Sequence, residues 1–294
     1  MKKHFIYSLI LLFSLMSCND DTNVETKSEL TSEFQKKLND FNDTYQSKIG
    51  YHPHSNNKCS QCWGSWGDFF VVAGADIAGA GAGAKAVSTI AAALNLGTGG
   101  TAGTTLVVGA AIVTGVGASV AANNSLDNKN STIYKESIAN LNIKYPEKFD
   151  YLKNIGKFHN DRVYVLLANN IKDYYCYDNN KTNSDLETLL SSQEWNNIIF
   201  DLNNSISDYN ISKDIYDLTE NLNEKSLIST NSKLVLNSFF NIYNQSENSH
   251  NIEDIINFYI DAVASEQSLT LSDKESLISS FSVASESPYF WINN

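Results

Sequence analysis

Between Ser28 and Ile49 the apolar residues Leu30, Phe34, Leu38, Phe41, Tyr45 and Ile49 follow one another at intervals of three and four. At 3.6 residues per turn this spacing gathers them on one stripe, which predicts an amphipathic helix over 28–49. Its polar side mixes Glu33, Asp40 and Asp43 with lysines, so the expected role is packing against the rest of the protein rather than lying on a membrane. From Phe69 to Ala122 the alternation disappears. Ala, Gly, Val, Ile, Leu and Thr dominate, and the charges in this stretch are Asp76 and Lys85. A Gly- and Thr-rich break from Asn95 to Thr104 divides it, which predicts a helical hairpin over 69–122.

The hairpin's small residues are ordered. Ala75, Gly79, Ala82 and Ala86 share one face of the first limb, and Ala111, Gly115, Ala118 and Ala122 share one face of the second. Small residues at this interval let two helix backbones approach closely, as in membrane helix pairs. Val108, Ile112, Val116 and Val120 form a bulky stripe beside them. The second limb, Thr104 to Ala122, has no charge over 19 residues, and at about 1.5 Å per residue it nearly spans a hydrocarbon core of about 30 Å. Asp76 and Lys85, nine residues apart, point to opposite sides of their helix and cannot pair within it. Two arrangements remain open. Either the hairpin meets a bilayer, with Trp63, Trp66, Val108, Ile112, Val116 and Val120 as contact residues, or it is the buried centre of a soluble helical domain.

The region 131–294 continues with helical patterns. Pro146 stands at a first helical position before Glu147, Phe149, Leu152 and Ile155. Ser184 with Glu187, Ser191 with Glu194 and Ser272 with Glu275 have the spacing of capping boxes. Apolar clusters at Leu234 to Tyr243 and Ile252 to Val263 supply buried faces. The expected fold class is all-α: an amphipathic N-terminal helix, an Ala/Gly-rich hairpin and a C-terminal helical domain.

The N-terminal end has a different logic. Lys2 and Lys3 precede a short apolar run from Phe5 to Leu15, followed by Leu15-Met16-Ser17-Cys18. This is the order of a secretory signal, too short for a membrane span. The ending is similar to a bacterial lipobox, which implies that residues 1–17 are removed and that Cys18 carries the lipid. Residues 18–27, with Asn19-Asp20-Asp21 directly after Cys18, resemble the acidic tether that helps send Bacteroidota lipoproteins outward. The expected location is the cell envelope, lipid-anchored, at the outer membrane and up to the cell surface. The chain's formal net charge is −12, with 21 basic against 33 acidic residues, and loss of Lys2 and Lys3 makes it −14. Such a chain without a basic run repels phosphate backbones, so nucleic acid is not an expected partner.

Residues 50–68 read as a loop with concentrated chemistry: His52, His54, Cys59, Cys62, Trp63 and Trp66. Two imidazoles and two thiols would suit a tetrahedral zinc ion. Outside the cytoplasm the thiols are expected to oxidise, giving a Cys59–Cys62 disulfide or a pairing with Cys176. No cofactor is expected: the glycines Gly97, Gly99 and Gly100 lack the Lys-Ser or Lys-Thr of a phosphate loop, and 178–189 fails the calcium-loop pattern. His159, in Gly156-Lys157-Phe158-His159-Asn160, reads as a buried organiser of a helix junction rather than a catalytic base. The aromatic run Tyr289-Phe290-Trp291 reads as a plug on the core. No catalytic constellation emerges, and an enzyme is not expected.

The Ala/Gly segment, the Gly156-x-x-His159-Asn160 step and the aromatic C-terminal end together resemble uncharacterised secreted lipoproteins of Bacteroidota. The hairpin itself looks like the glycine-zipper segments of bacteriocins and the hydrophobic hairpin of pore-forming colicins. That likeness implies a membrane-damaging, antagonistic role with self-association through the hairpin. The competing expectation is a lipid-tethered helical binding or scaffold module whose hairpin is core, its protein partner unspecified. Replacing Cys18 by Ala is expected to abolish labelling of the chain by a radioactive fatty acid and to move it from the membrane to the soluble fraction. Continued labelling of that variant would refute lipidation at Cys18.

Overall fold

The computed structural model describes residues 30–49, 66–94, 100–125, 141–168, 184–212, 214–246 and 249–290. Cys18, the 18–27 tether, His52, His54, Cys59, Cys62, Trp63, Cys176 and Trp291 lie outside the described residues. Every element among the described residues is helical: α1 (Ser32–Ile49), α2 (Trp66–Ala93), α3 (Gly100–Ser125), a 3-10 helix (Glu147–Leu152), α4 (Ile155–Ala168), α5 (Ser184–Leu190), α6 (Gln193–Ser212), α7 (Ile215–Glu224), α8 (Thr230–Tyr243), α9 (Ser249–Ser265) and α10 (Leu271–Phe290). The all-α expectation holds.

The predicted hairpin is α2 and α3, and it is the centre of the fold. Its two limbs pack on each other along their length, α10 lies along α2, α4 crosses α3 and α10, and α6 lies across both limbs. Every residue from Val72 to Ala84 and from Gly109 to Val120 is buried. A helix apolar on all faces needs such complete cover, or lipid in its place. Gly103–Asn123, with mean hydropathy 1.9, is long and apolar enough to cross a membrane, and 83% of its most apolar stretch is buried within the protein. Of the proposed membrane-contact residues, Ile112, Val116 and Val120 are buried against protein and Val108 is half-buried, while Trp66 opens α2.

Small residues decide how the centre packs. A Cβ on Gly79 would sit 2.6 Å from Ala118 Cβ and 3.4 Å from Gly115 Cα. One on Gly83 would sit 2.5 Å from the Ala110 carbonyl oxygen, and one on Gly115 would meet Ala80 Cβ at 3.4 Å. The predicted faces meet through Gly79, Gly115 and Ala118, with Gly83, Thr114 and Ala110 extending the seam. Gly81 faces the other way, toward Ser276 and Ser280 of α10.

α1 docks on α8 and α9 through its apolar stripe. Leu30, Phe34, Leu38 and Tyr45 are buried, and Phe41 stacks on Phe258 with centroids 3.6 Å apart. The buried Asn42 donates to the Ser238 carbonyl at 2.8 Å and accepts from the Tyr259 hydroxyl at 3.0 Å. Behind α9, the rings of Phe239, Tyr259 and Phe281 join α8 and α9 to α10.

Several helix starts differ from their sequence signals. Thr31 caps α1, since Phe34 N–H donates to its hydroxyl at 3.1 Å. Pro146 caps a 3-10 turn, and the α-helix begins at Ile155. Ser192, not Ser191, accepts from Trp195 N–H at 3.1 Å to start α6. At α10 the capping box is Thr270 with Asp273, two residues before the expected pair: Asp273 N–H donates to the Thr270 hydroxyl at 3.1 Å, and that hydroxyl donates to the Asp273 carboxylate at 2.8 Å. Asp replaces Glu in this box, which hides it from the usual pattern. Glu275 instead accepts from the Tyr151 hydroxyl, and burial raises its carboxyl above the usual range, against the opposing effects of Tyr151 and Lys148.

The seam makes an ordered prediction for the full chain. Gly83→Ala pushes a methyl into backbone that cannot rotate away and is expected to lower stability by about 1–3 kcal/mol. Gly81→Ala meets first the Ser280 hydroxyl, a side chain with no hydrogen-bond partner. Its loss is expected to be smaller and to be relieved further by Ser280→Ala. Urea midpoints that ranked Gly81→Ala as the worse variant, or showed no relief in the double variant, would contradict this packing.

Candidate functional site

The two charges of the hairpin organise the contacts that hold it in place. Asp76 on α2 is fully buried, as are Ser119 on α3, His159 on α4 and Ser287 on α10. Ser119 Oγ is hydrogen-bonded to Asp76 Oδ1 and lies 3.1 Å from His159 Nε2. The Ser287 hydroxyl donates to Asp76 Oδ2. His159 Nδ1 lies 2.9 Å from Asn160 Oδ1, and Asn160 Nδ2 donates to the Glu286 carbonyl at 3.0 Å. One hydrogen-bonded chain therefore ties four helices together around a single carboxyl group.

Local sequence explains why these groups meet. Ser119 lies next to Ala118 on the small-residue seam, so it reaches across to Asp76 without holding the helices apart. Gly156 brings α4 close to α10: a Cβ there would strike the Ser282 carbonyl, and its N–H donates to the Ser282 hydroxyl at 3.1 Å. Three residues on, one turn of the same helix brings His159 to Ser119 and Asn160 to Glu286. The Gly-x-x-His-Asn step thus has a physical meaning, in which glycine sets the approach and the two polar residues fasten it. The buried-organiser reading of His159 fits this placement.

Lys85 is fastened separately, to the other end of α10. Its ammonium lies 3.6 Å from Asp273 Oδ1, with the Asp273 side chain 3% exposed. Ser232 of α8 also donates to that oxygen, at 3.3 Å. Nearby, Ser276 donates to the Gly81 carbonyl at 2.9 Å, and the Ser88 and Ser272 hydroxyls lie 2.6 Å apart. α10 therefore runs antiparallel to α2 with Ser287 at Asp76 and Asp273 at Lys85. Burial, with the carboxylates of Asp214 and Asp76, pushes the phenol of Tyr209 on α6 well above its ordinary range.

The order of the buried groups bears on their chemistry. A serine nucleophile needs imidazole between hydroxyl and carboxylate, whereas here the hydroxyl stands between the other two. An open surface depression of about 760 Å³ is lined by residues including Thr31, Phe34, Lys37 and Gln267, and by none of the network. Among the described residues no group of three or more His, Cys, Asp or Glu side chains could hold a metal ion. The zinc and disulfide candidates, His52, His54, Cys59 and Cys62, fall outside those residues.

Comparison with protein-family models, curated proteins and solved structures finds no match to this chain. The network itself is the candidate site.

Sequence alone singled out Asp76, Lys85 and His159 but not Ser119, Ser287 or Asp273. Serine carries no distinctive signal among small residues, and the burial of the serines on α10, from Ser272 to Ser287, emerges only from the fold. Ser119→Ala is expected to cost about 1–3 kcal/mol, because it removes the buried hydroxyl that joins Asp76 to His159. Ser279→Ala is expected to be neutral or stabilising, since the Ser279 hydroxyl is buried without a partner. Urea unfolding of the two variants should separate them clearly, and equal midpoints would remove the network's structural weight.

Proposed function

We propose that this chain is a lipid-anchored envelope protein that stores a membrane-active helical hairpin, α2–α3, inside a soluble helical domain. One observation carries the reading: the hairpin is closed on itself through Gly and Ala, while the directional contacts that fasten it to the surrounding helices, beside the apolar packing that covers it, are localised at a few polar groups. Those contacts include Asp76 with Ser287, Ser119 with His159, Lys85 with Asp273, Ser276 with the Gly81 carbonyl, and Ser88 with Ser272. Such a unit can leave its cover without coming apart. Both limbs are long enough for the purpose, since helices of 28 and 26 residues extend about 42 and 39 Å at 1.5 Å per residue.

The lipid on Cys18 gives the proposal its geometry. Leu30 lies twelve positions after Cys18, and a chain of twelve steps reaches at most about 43 Å. The domain would then stay within one bilayer thickness of the membrane that holds the lipid. In lipid, Asp76 and Lys85 would each cost about 2.5–3.5 kcal/mol, so the inserted form calls for several copies around water. No catalytic step is assigned to the protein on this reading.

A second reading, a tethered binding module with a permanent core, is favoured by the partners that Asp76 and Lys85 already have within the fold. A reversible lock separates the two. Ser88→Cys with Ser272→Cys places a disulfide between α2 and α10 where the hydroxyls now touch. In the full chain with Cys18→Ser, dye release from liposomes is expected without the lock, to be suppressed by the oxidised lock, and to return on reduction. The unlocked protein under the same reductant controls for Cys59, Cys62 and Cys176. No release at any pH from folded, unlocked protein would transfer the assignment to the binding module.

A further inference from the structure

The hydrogen-bond pattern around Asp76 fixes a count of protons. The Glu286 carbonyl can only accept, so the Asn160 group 3.0 Å from it is the amide nitrogen, and the amide oxygen faces His159 Nδ1. Nδ1 therefore carries a hydrogen. In a neutral imidazole Nε2 would then be a bare acceptor, and it faces the Ser119 hydroxyl at 3.1 Å. The same hydroxyl is also hydrogen-bonded to Asp76 Oδ1. Each of these two contacts needs a hydrogen between its heavy atoms, and Ser119 has one to give. The Ser287 hydrogen is already directed at the other carboxyl oxygen.

We propose that Asp76 and His159 share one titratable proton through the Ser119 hydroxyl, and that this proton keeps the hairpin locked in the fold. The pair exists in two forms of equal net charge. With the proton on Asp76, the acid donates to Ser119 and Ser119 donates to a neutral His159. With the proton on His159, Nε2–H donates to Ser119 and Ser119 donates to the carboxylate. Shifting one hydrogen across each contact interconverts them with no net gain or loss. Every contact is filled in either form, and the buried pair carries no net charge.

Removing the shared proton leaves one contact without a hydrogen and a net negative charge at the centre of the hairpin. Adding a second proton makes the pair positive and aims two donors at Ser119. Both changes loosen α2–α3 from α4 and α10, so the lock holds within a pH interval and opens on either side. Among the described residues, the titratable groups beside the network are Tyr209 from α6, which burial keeps protonated, and Glu286 of α10, whose carbonyl accepts from Asn160, while Asp214 at the start of α7 acts on Tyr209. The role in release rests on the hairpin being the membrane-active element, whereas the proton count does not.

The decisive measurement is nitrogen-15 NMR of histidine-labelled full chain with Cys18→Ser at neutral pH, paired with infrared spectroscopy of the carboxyl region. Of the five histidines, His159 is assigned by the signal lost in His159→Gln. Two results support the proposal: an imidazolium with both nitrogens protonated, or a neutral Nδ1–H tautomer together with an acid carbonyl band that Asp76→Asn removes. A neutral Nδ1–H tautomer without that band overturns it, as does a neutral Nε2–H tautomer. If His159→Gln does not fold, the slowest-exchanging ring N–H in the parent protein identifies the same residue.

The pH dependence of the urea midpoint gives the second test. It is expected to fall on both sides of a maximum in the parent and to lose its alkaline fall in Asp76→Asn, whose side chain has no proton to lose; an unchanged alkaline fall would overturn the lock. Dye release across the same pH range keeps the two ideas apart. A shared proton without release at any pH upholds the count and removes the membrane reading, and release without a shared proton does the reverse.

Discussion

Two helices that approach as closely as Gly79, Gly83 and Gly115 allow leave no room at their seam for a long polar side chain. Close packing and a buried charge are therefore in direct conflict at the centre of this protein. Asp76 resolves the conflict by reaching the edge of the seam, where Ser119 meets it from α3 and Ser287 meets it from α10. The positions of α4 and α10 follow from this. Each must come near enough for a hydroxyl or an imidazole to bridge, which is why Gly156 faces the Ser282 carbonyl and why serine recurs along α10.

α10 has two kinds of neighbour, and its composition reflects both. Toward α8 and α9 it presents Phe281 to the aromatic cluster with Phe239 and Tyr259. Toward α2 it presents serines small enough to sit against Gly81. Hydroxyls satisfy the hairpin's polar groups where they are present, but Ser279 and Ser280 remain buried without partners. An orphaned buried hydroxyl costs stability, so the cover over the hairpin is weaker than an apolar one of the same shape. α1, fastened through Asn42 and the Phe41–Phe258 stack, belongs to the opposite side of α8 and α9 and leaves this contact untouched.

The hairpin, its small-residue faces and the stripe of α1 were legible because each is a periodic signal sustained over several turns. The misplaced caps show where periodicity stops helping. Ser191 and Ser192 are equally good caps by composition, and only the packing of Trp195 selects Ser192. α10 was the least legible helix. Its serines suggest a surface, yet nearly all of its length is buried, and no local pattern reveals that an Ala/Gly hairpin will lie along it. The role of His159 could be anticipated from its rarity, whereas its partners depended on a contact between residues 40 positions apart in the chain.

On the proposed function, the fold poses an energetic question that the two charges answer differently. Lys85 has a long stem and is already partly exposed, so it can extend toward an interface with its charge retained. Asp76 is short and lies ten residues into α2, about 15 Å along the helix axis, with no such escape. Neutralising it removes one of the two penalties of about 2.5–3.5 kcal/mol that oppose entry into lipid, a change of the same order as the hydrogen bonds that hold it in the soluble fold. Asp76 and Lys85 also face opposite sides of α2, so in a bilayer neither can be satisfied by the other within one copy. Insertion without neutralisation would require a neighbouring hairpin on each side, and closing such contacts on both faces leads to a ring rather than a pair.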